Sequence, residues 1–185
     1  MNSAVNLKYI GKYAFSSSNL GFISFKGCTD LYIGQSAFEN CQKLFNVYID
    51  DGVSYIGERA FYNCSNLDTV ELIDSPSSTL TTIEPYTFAY CKIKNICIPR
   101  FVTSIESNAF KGCSDLTSVF IGGFGNTIKG SLTSIGDTAF SGCTSLTSIT
   151  YNGPMWGWES IEKGNNWNYG VPATVVHCTD GDIDI

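Results

Sequence analysis

Hydrophobic residues recur along this chain at a nearly constant interval. A segment of the form Ile-Gly-x-x-Ala-Phe occurs six times, complete or with small departures, and its phenylalanines are Phe15, Phe38, Phe61, Phe88, Phe110 and Phe140. The intervals between them are 23, 23, 27, 22 and 30 residues. A fixed period of this length is typical of repeat proteins. The pattern therefore predicts six copies of a unit of about 23 residues, two of them enlarged by insertions.

Each copy continues with the same succession of residue types. Three residues after the phenylalanine comes a cysteine in five copies and Ser18 in the first; the cysteines are Cys41, Cys64, Cys91, Cys113 and Cys143. An apolar trio follows, such as Leu67, Val70 and Leu72. The alternation in Val70-Glu71-Leu72 predicts a strand that buries the valine and leucine and exposes the glutamate.

A unit of 23 residues is too short to enclose a core, so it must bury its apolar side against its neighbours. Equivalent strands of successive units then run in the same direction and stack as a parallel sheet. Phenylalanine and cysteine, three residues apart, favour a short helical or 3₁₀ turn beneath that sheet. The glycine of Ile-Gly suits a tight bend.

The full pattern Ile-Gly-x-x-Ala-Phe-x-x-Cys-x-x-Leu-x-x-Val-x-Ile resembles the BspA-type leucine-rich repeat over roughly residues 7–151. Glu84, Glu106, Thr87 and Ser18 are local departures from it. The resemblance implies an α/β leucine-rich-repeat solenoid, a right-handed stack of parallel strands joined by short helical or 3₁₀ turns. We expect six repeats in residues 1–151, and an aromatic-rich C-terminal cap with an acidic tail in residues 152–185.

The same resemblance implies a function. Such repeats point to a non-enzymatic adhesion or protein-binding module of a bacterial cell-surface or secreted protein. The expected partner is a protein on a host or neighbouring cell, and no cofactor is expected. The N-terminal residues have neither a basic segment nor an apolar segment of a secretory signal, and the repeats start without a polar cap. We therefore expect the chain to be the C-terminal part of a longer extracellular protein.

The outward positions of the strands are candidate binding residues. Two ladders should face solvent, and their larger or more polar members are Phe22, Asn46, Tyr48, Glu71, Asn95 and Phe120. Exposed aromatic residues are enriched where proteins bind each other, although the same residues could simply pair across an ordinary exposed sheet. The two insertions, which contain Asp74 and Phe124, should emerge along one edge and could add to a binding surface, although neutral drift at a tolerant turn explains them equally well.

The C-terminal tail contains a second group of aromatic residues, Trp156, Trp158, Trp167 and Tyr169. The favoured interpretation is a cap that closes the open end of the core, which a solenoid needs. The alternative is a platform for stacking sugar rings, which would make the chain a carbohydrate-binding module. A third possibility is a structural spacer that displays another domain.

Charge, hydrophobicity and cysteine content narrow the remaining classes of function. The chain has 11 basic and 17 acidic residues, a net charge of −6, which argues against nucleic acid as a partner. No apolar run approaches the roughly 20 residues that a membrane-spanning helix needs, so we expect no membrane insertion. Five of the eight cysteines fall in one column and should be small buried hydrophobes.

No motif for catalysis or metal binding stands out. Cys-x-x-Cys spacing is absent, and the neighbours His177 and Cys178 should point to opposite faces of a strand that closes the solenoid. Cys97 should face outward, which makes it the best candidate for a reactive thiol, although an inert surface cysteine is the favoured interpretation. The acidic residues from Asp180 to Asp184 lack the spacing of a calcium loop and suggest a frayed terminus. We therefore expect no catalytic residues and no metal site.

Overall fold

The computed structural model of the chain describes residues 7–123 and 130–185. In chain order the strands and the one helix of these residues are β1 Tyr9–Ile10, β2 Phe22–Ser24, β3 Leu31–Ile33, β4 Asn46–Ile49, β5 Val53–Ile56, β6 Thr69–Leu72, β7 Thr82–Ile83, β8 Asn95–Ile98, β9 Ser104–Ile105, β10 Ser118–Ile121, β11 Ser134–Ile135, β12 Ser148–Tyr151, α1 Met155–Glu159, β13 Glu162–Lys163, β14 Val175–Cys178 and β15 Gly181–Asp184.

The strands form a parallel solenoid of about seven turns. One sheet, called here the long sheet, has eight strands in the order β15-β14-β12-β10-β8-β6-β4-β2. On the other side of each coil lie two short sheets, β1-β3-β5 and β13-β11-β9-β7. Each coil therefore contributes one strand to the long sheet and one to a short sheet. The predicted leucine-rich-repeat solenoid with a repeat of about 23 residues is confirmed.

Columns of similar apolar side chains fill the space between the sheets. The inward residues of the long sheet are buried from coil to coil; they are Val47, Val70, Ile96, Val119, Ile149 and Val176. The six phenylalanines form a continuous stack with ring centroids 5.2 to 5.6 Å apart and interplanar angles of 3° to 15°. Burial of whole apolar side chains, each contributing about 1.5–3 kcal/mol, holds the coils together.

The Ala-Phe-x-x-Cys segments are runs of β-turns where the sequence favoured a helical turn. In the second coil Ala37 N donates to Gly34 O and Cys41 N to Phe38 O, closing successive turns at 3.2 and 3.3 Å. Phe38 N donates to Ala60 O of the next coil at 2.8 Å. Two positions per coil, such as Ser36 and Asn40, have φ near +55 to +60°. The left-handed residues orient every second N–H group toward the next coil, where it donates to a backbone carbonyl. In a helix these N–H groups would instead bond within their own segment.

The glycine of the Ile-Gly pair is explained by contact between coils, and not by a bend. A Cβ atom on Gly57 would lie 2.6 Å from Gln35 N of the preceding coil, and one on Gly136 would lie 2.5 Å from Ser107 N. Real Cβ atoms do not approach backbone this closely. These glycines are therefore present because adjacent coils touch there through their backbones.

The column cysteines are buried free thiols, as the sequence predicted. Each Sγ also donates to the phenylalanine carbonyl of the preceding coil at 3.1 to 3.2 Å. Cys91, for example, donates to Phe61 O at 3.1 Å. Each cysteine thus supplies a small apolar atom and a weak hydrogen-bond donor. Its hydrogen bond adds to the backbone hydrogen bonds that already join adjacent coils.

The tail after β12 forms a further coil. β13 pairs with β11 and β14 pairs with β12, both in parallel. Phe140 N donates to Trp167 O at 2.7 Å, as Phe110 N does to Ala139 O at 2.8 Å. In this register Trp167 occupies the alanine position, and Asn168 the phenylalanine position. The Trp167 ring ends the aromatic stack by meeting Phe140 edge-on at 6.3 Å.

The acidic C-terminus is ordered, which corrects the expectation of a frayed tail. β15 pairs antiparallel with β14 from Val175↔Asp184 to Cys178↔Gly181. Asp180 Oδ1 accepts a hydrogen bond from Met155 N at 2.7 Å. The short motif was too polar to signal a strand, and its partner β14 supplies the hydrogen bonds that make one. The predicted final strand at Val-Val-His-Cys is confirmed as β14.

Candidate functional site

The outward side chains of the long sheet lie in the two predicted ladders. The first runs Phe22, Asn46, Thr69, Asn95, Ser118 and Ser148, and these residues are paired in register from strand to strand. The second contains Ser24, Tyr48 and Glu71, then Cys97, Phe120 and Thr150, also in register within each group. We call this surface the outer face. Its register follows from the inward aliphatic columns, because side chains alternate along a strand.

Exposure varies along the outer face. Phe22, at the edge strand β2, is 55% exposed, whereas Tyr48 and Phe120 are half-buried by neighbouring side chains. Glu71 and Asn95 are exposed, and Asn46 is half-buried. Burial first, and then the carboxylates of Asp50, Glu71 and Asp51, raise the pKa of the Tyr48 hydroxyl. The face is therefore a mixture of aromatic rings, hydroxyls and amides.

A shallow depression lies on this face over strands β8, β10 and β12. Its volume is about 330 Å³, and the outward side chains that line it are Asn95, Cys97, Ser118, Phe120, Ser148 and Thr150. Asn95 Oδ1 accepts from Ser118 Oγ at 2.7 Å and from Thr117 Oγ1 at 3.0 Å. A second depression of about 380 Å³ adjoins it along β6 and shares Cys97. Such a surface can accept an apolar side chain and hydrogen-bond the polar groups around it.

Cys97 does not have the character of a reactive thiol. Burial, and then the negative charge of Asp74, raise its pKa to about 12. A nucleophilic cysteine needs a lowered pKa, because the thiolate is the reactive form. This agrees with the favoured interpretation of Cys97 as an inert cysteine and argues against a reactive thiol. The sequence showed that the residue faces outward, but it did not show that its neighbours half-cover it.

Asp74 is held inside the protein. Its carboxylate accepts two charge-assisted bonds from Arg100, at 2.7 Å from Nη2 to Oδ2 and 3.0 Å from Nε to Oδ1, and another from the Arg100 N–H at 3.1 Å. A Cβ on Gly123 would lie 2.0 Å from Asp74 Oδ2, so the starts of the two insertions touch. The predicted common edge for the insertions is thus present at their roots. Phe124 lies outside the described residues.

The four aromatic residues of the tail are not gathered into one platform. Trp158 and Trp167 are 1% and 9% exposed and contact each other at 5.9 Å, in the position of a cap. Trp156 and Tyr169 are 62% and 70% exposed. Lys163 also closes this end, since its Nζ donates to Trp158 O at 2.7 Å and Ile161 O at 2.8 Å and lies 4.9 Å from the Trp158 ring centre. Two rings are therefore buried at the end of the core, and two are largely exposed.

The candidate catalytic and metal-binding side chains can be placed in the part of the chain that the structure describes. Its histidine, cysteine, aspartate and glutamate residues form no group of three or more suited to a metal ion. His177 Nδ1 lies 2.9 Å from Asp182 Oδ1 across the β14–β15 hairpin, on the exposed surface. Burial first, and then nearby carboxylates, raise the pKa of the adjacent Cys178 thiol. Neither residue is arranged as a nucleophile beside a base.

Sequence reasoning missed two aromatic groups. Tyr9, Tyr32 and Tyr55 stack on the outside of the first short sheet with centroids 5.2 and 4.5 Å apart. Arg59, Tyr62, Tyr86 and Tyr90 cluster on the edge formed by the β-turns of the third and fourth coils. The signal was present in the repeat itself, because aligned copies have small residues, asparagine or glycine at several of these positions.

Comparison with known proteins gives the same fold. The chain is 26% identical to a leucine-rich repeat protein of T. pallidum, with a TM-score of 0.72 over 89% of this chain and 71% of that one. It is 25% identical to a leucine-rich cell surface protein of Faecalibacterium prausnitzii, with a TM-score of 0.63 over 84% of this chain. The pneumococcal vaccine antigen PcpA, at 18% identity and a TM-score of 0.53 over 92% of this chain and 60% of that one, shares the fold.

These similarities cover partial lengths. The chain spans 54% of the F. prausnitzii cell surface protein. No curated protein matches the chain closely enough to count as a relative. Within residues 7–123 and 130–185, none of the helical structure is long and apolar enough to cross a membrane.

The repeat pattern itself identifies the family. The profile of the BspA-type leucine-rich repeat region matches residues 1–117 and 125–161 in six copies. The match covers most of the chain and includes every Ile-x-x-x-Ala/Thr-Phe segment described above. The chain belongs to the BspA-type leucine-rich repeat family.

Proposed function

We propose that the chain is a non-enzymatic protein-binding module of a bacterial cell-surface protein, and that its outer face binds a protein on a host or neighbouring cell. The observation that carries the proposal is the depression beside Phe120, where an aromatic ring stands among hydroxyl and amide groups in fixed register. Aromatic anchors surrounded by satisfied polar groups are typical of the centres of protein interfaces.

The rigidity of the face also supports this proposal. Every strand of β4 to β12 in the long sheet is bonded on both sides, and its inward residues are buried. Its side chains are therefore held in place before a partner arrives, which lowers the entropy lost on binding. The cell-surface description of a similar F. prausnitzii protein supports the location.

The test is binding to an array of purified extracellular-matrix and epithelial surface proteins. Phe120→Ser and Tyr48→Ser give these positions the small hydroxyl of their neighbours on the strands, so the sheet should remain intact. We expect each to weaken binding to a captured partner at least tenfold, about 1.4 kcal/mol. The matched control is Tyr32→Ser, which removes an outward tyrosine from the first short sheet. Unchanged binding by both outer-face variants would refute the assignment.

A carbohydrate-binding function remains the alternative, carried by the exposed rings of Trp156 and Tyr169. Sugar rings stack on exposed aromatic faces, so a glycan array should give binding that Trp156→Ala abolishes and Phe120→Ser does not change. An array without hits would remove this alternative. A chain with neither kind of ligand would act as a spacer for another domain.

A further inference from the structure

The tyrosine–arginine cluster is the most concentrated group of large side chains on the edge formed by the β-turns. We define it as Arg59, Tyr62, Tyr86 and Tyr90. The Arg59 guanidinium lies against two rings, 5.1 Å from the centre of Tyr62 and 5.0 Å from that of Tyr86, and these rings meet each other edge-on at 6.2 Å. Tyr62 also meets Tyr90 edge-on, with centroids 5.5 Å apart and an angle of 87°. Arginine against aromatic faces is held by cation–π attraction and loses little mobility on binding.

Three of these residues occupy backbone positions that large side chains avoid. Arg59, Tyr86 and Tyr90 have φ of 58°, 56° and 61°. The corresponding positions in other coils are Tyr13, Ser17, Ser36, Asn40, Asn63, Asn108, Gly112, Thr138, Gly142, Asn166 and Gly170. Glycine and asparagine tolerate this conformation, whereas bulky residues are strained in it. Of the four bulky residues in the two columns, three are in the cluster, and strained residues gather at functional sites.

The neighbouring coil makes room for the cluster. A Cβ on Gly112 would lie 2.6 Å from Cδ1 of Tyr90, so the ring of Tyr90 rests against the bare backbone of the fifth coil. Tyr90 remains 41% exposed. Packing therefore fixes the ring from below while leaving its outer edge open to a partner.

The exposed part of Arg59 is its terminal end. The side chain is 41% exposed, yet its Nε is buried and, among the described residues, has no hydrogen-bond partner. Glu58 Oε1 is 3.6 Å from this nitrogen, which is too far for a hydrogen bond. The two rings lie against the guanidinium and Nε is buried, so the terminal N–H groups are the ones that can meet a ligand. A planar fork of N–H groups matches a carboxylate.

The charges beside the cluster are of both signs, since Glu58 Oε1 lies next to Arg59. The preference for a carboxylate therefore rests on the fork of terminal nitrogens of Arg59, and not on a net positive patch.

We propose that the tyrosine–arginine cluster is a second recognition surface, separate from the outer face, that binds an acidic segment of a protein partner. A carboxylate of that segment pairs with the terminal nitrogens of Arg59, and an adjacent apolar side chain packs against Tyr90 and Tyr62. A protein is favoured over a glycan because Arg59 covers the faces of Tyr62 and Tyr86, and sugars need open ring faces to stack. Tyrosine and arginine are also the residues enriched in protein hot spots.

The test uses random dodecapeptides displayed on phage and selected on the immobilised whole chain. Peptides that bind should be enriched in aspartate and glutamate. Synthetic copies of them should lose at least tenfold in affinity on Arg59→Met and on Tyr90→Asn. Binding to Phe120→Ser should be unchanged, which separates this surface from the outer face. The matched control is Tyr13→Asn, the same substitution at a left-handed tyrosine outside the cluster.

Tyr90→Asn also separates binding from folding. Asparagine suits the left-handed conformation, and it would extend the existing bond from Asn63 Nδ2 to Asn40 Oδ1 at 2.7 Å. We therefore expect this variant to lose peptide binding while its Tm stays equal to or above that of the wild type. A Tm below the wild-type value would overturn the argument from strain. Selected peptides without acidic enrichment, peptides that bind all variants equally, or binding of acidic glycans without peptides would overturn the proposal.

Discussion

The regular coils and the last coil solve different packing problems. A regular coil such as the third lies between two others, and its Phe61 is fully buried between Phe38 and Phe88 at 5.2 and 5.5 Å. The last coil has a neighbour on one side. At the same positions it has Asn168 for phenylalanine, Trp167 for alanine, Val171 for cysteine and Lys163 for isoleucine.

The last coil nevertheless keeps what its contact with the preceding coil requires. A Cβ on Gly164 would lie 2.4 Å from Asp137 N, the same approach that Gly57 and Gly136 make. Its left-handed residues Asn166 and Gly170 also remain. The comparison teaches that every coil keeps the left-handed turns and most keep the glycine, with Glu84 and Glu106 as the exceptions. The phenylalanine of the aromatic stack is needed only where coils lie on both sides.

The largest expected effect breaks the aromatic stack. Phe61→Ala removes a ring that is buried between two others, and we expect the free energy of unfolding to fall by about 3–5 kcal/mol. Asn168→Ala, in the same column of the last coil, should change it by less than about 0.5 kcal/mol. Urea unfolding followed by circular dichroism measures both. Similar losses for the two variants would contradict the comparison.

The next effect concerns the glycine that both kinds of coil retain. Gly57→Ala places a methyl group against the backbone of the second coil, and Gly164→Ala does the same against the sixth. Each should lower the free energy of unfolding by about 1–3 kcal/mol. If the variant in the last coil were neutral, its backbone contact would be less close than that of the regular coils.

A smaller effect is expected from the cysteine column. Cys91→Val removes the thiol that donates to Phe61 O and adds volume to a filled site, so we expect a loss of about 1–2 kcal/mol. Val171→Cys, the reverse exchange in the last coil, should cost less than about 1 kcal/mol because that side chain is only partly buried. Thermal unfolding of the two variants tests this, and equal losses would count against a special role for the thiol.

The smallest effect is the pH dependence that Lys163 contributes in the last coil. Burial lowers the pKa of Lys163 in the folded protein, while the negative charge of Glu159 opposes the shift. The unfolded chain therefore binds this proton more tightly, and the contribution of Lys163 to stability should rise as the pH increases toward the ordinary pKa of 10.5. The difference in unfolding free energy between wild type and Lys163→Met should grow over this range. A difference that is constant or shrinks would exclude the effect.

Much of the candidate site could be read from the alternation of residues. The register of Tyr48, Asn95 and Phe120 on one face follows from the buried positions between them, because one residue of slip would turn the whole strand over. What could not be read is how neighbours cover these residues. Cys97 and Asp74 were both expected to be available, yet one is half-buried and the other is bound by Arg100.

The sequence alone determined the repeat length, the parallel solenoid, the buried columns and the two outward ladders, because each rests on a spacing that every copy repeats. The tertiary structure decided the features that depend on how separate segments meet. The β-turns bonded between coils, the thiol donors to phenylalanine carbonyls and the cluster around Arg59 depend on contacts between residues about one repeat apart. The hairpin of β14 and β15 depends on a strand that forms only because β14 offers it a partner. The sequence of one segment does not specify which backbone and side-chain groups another segment places beside it.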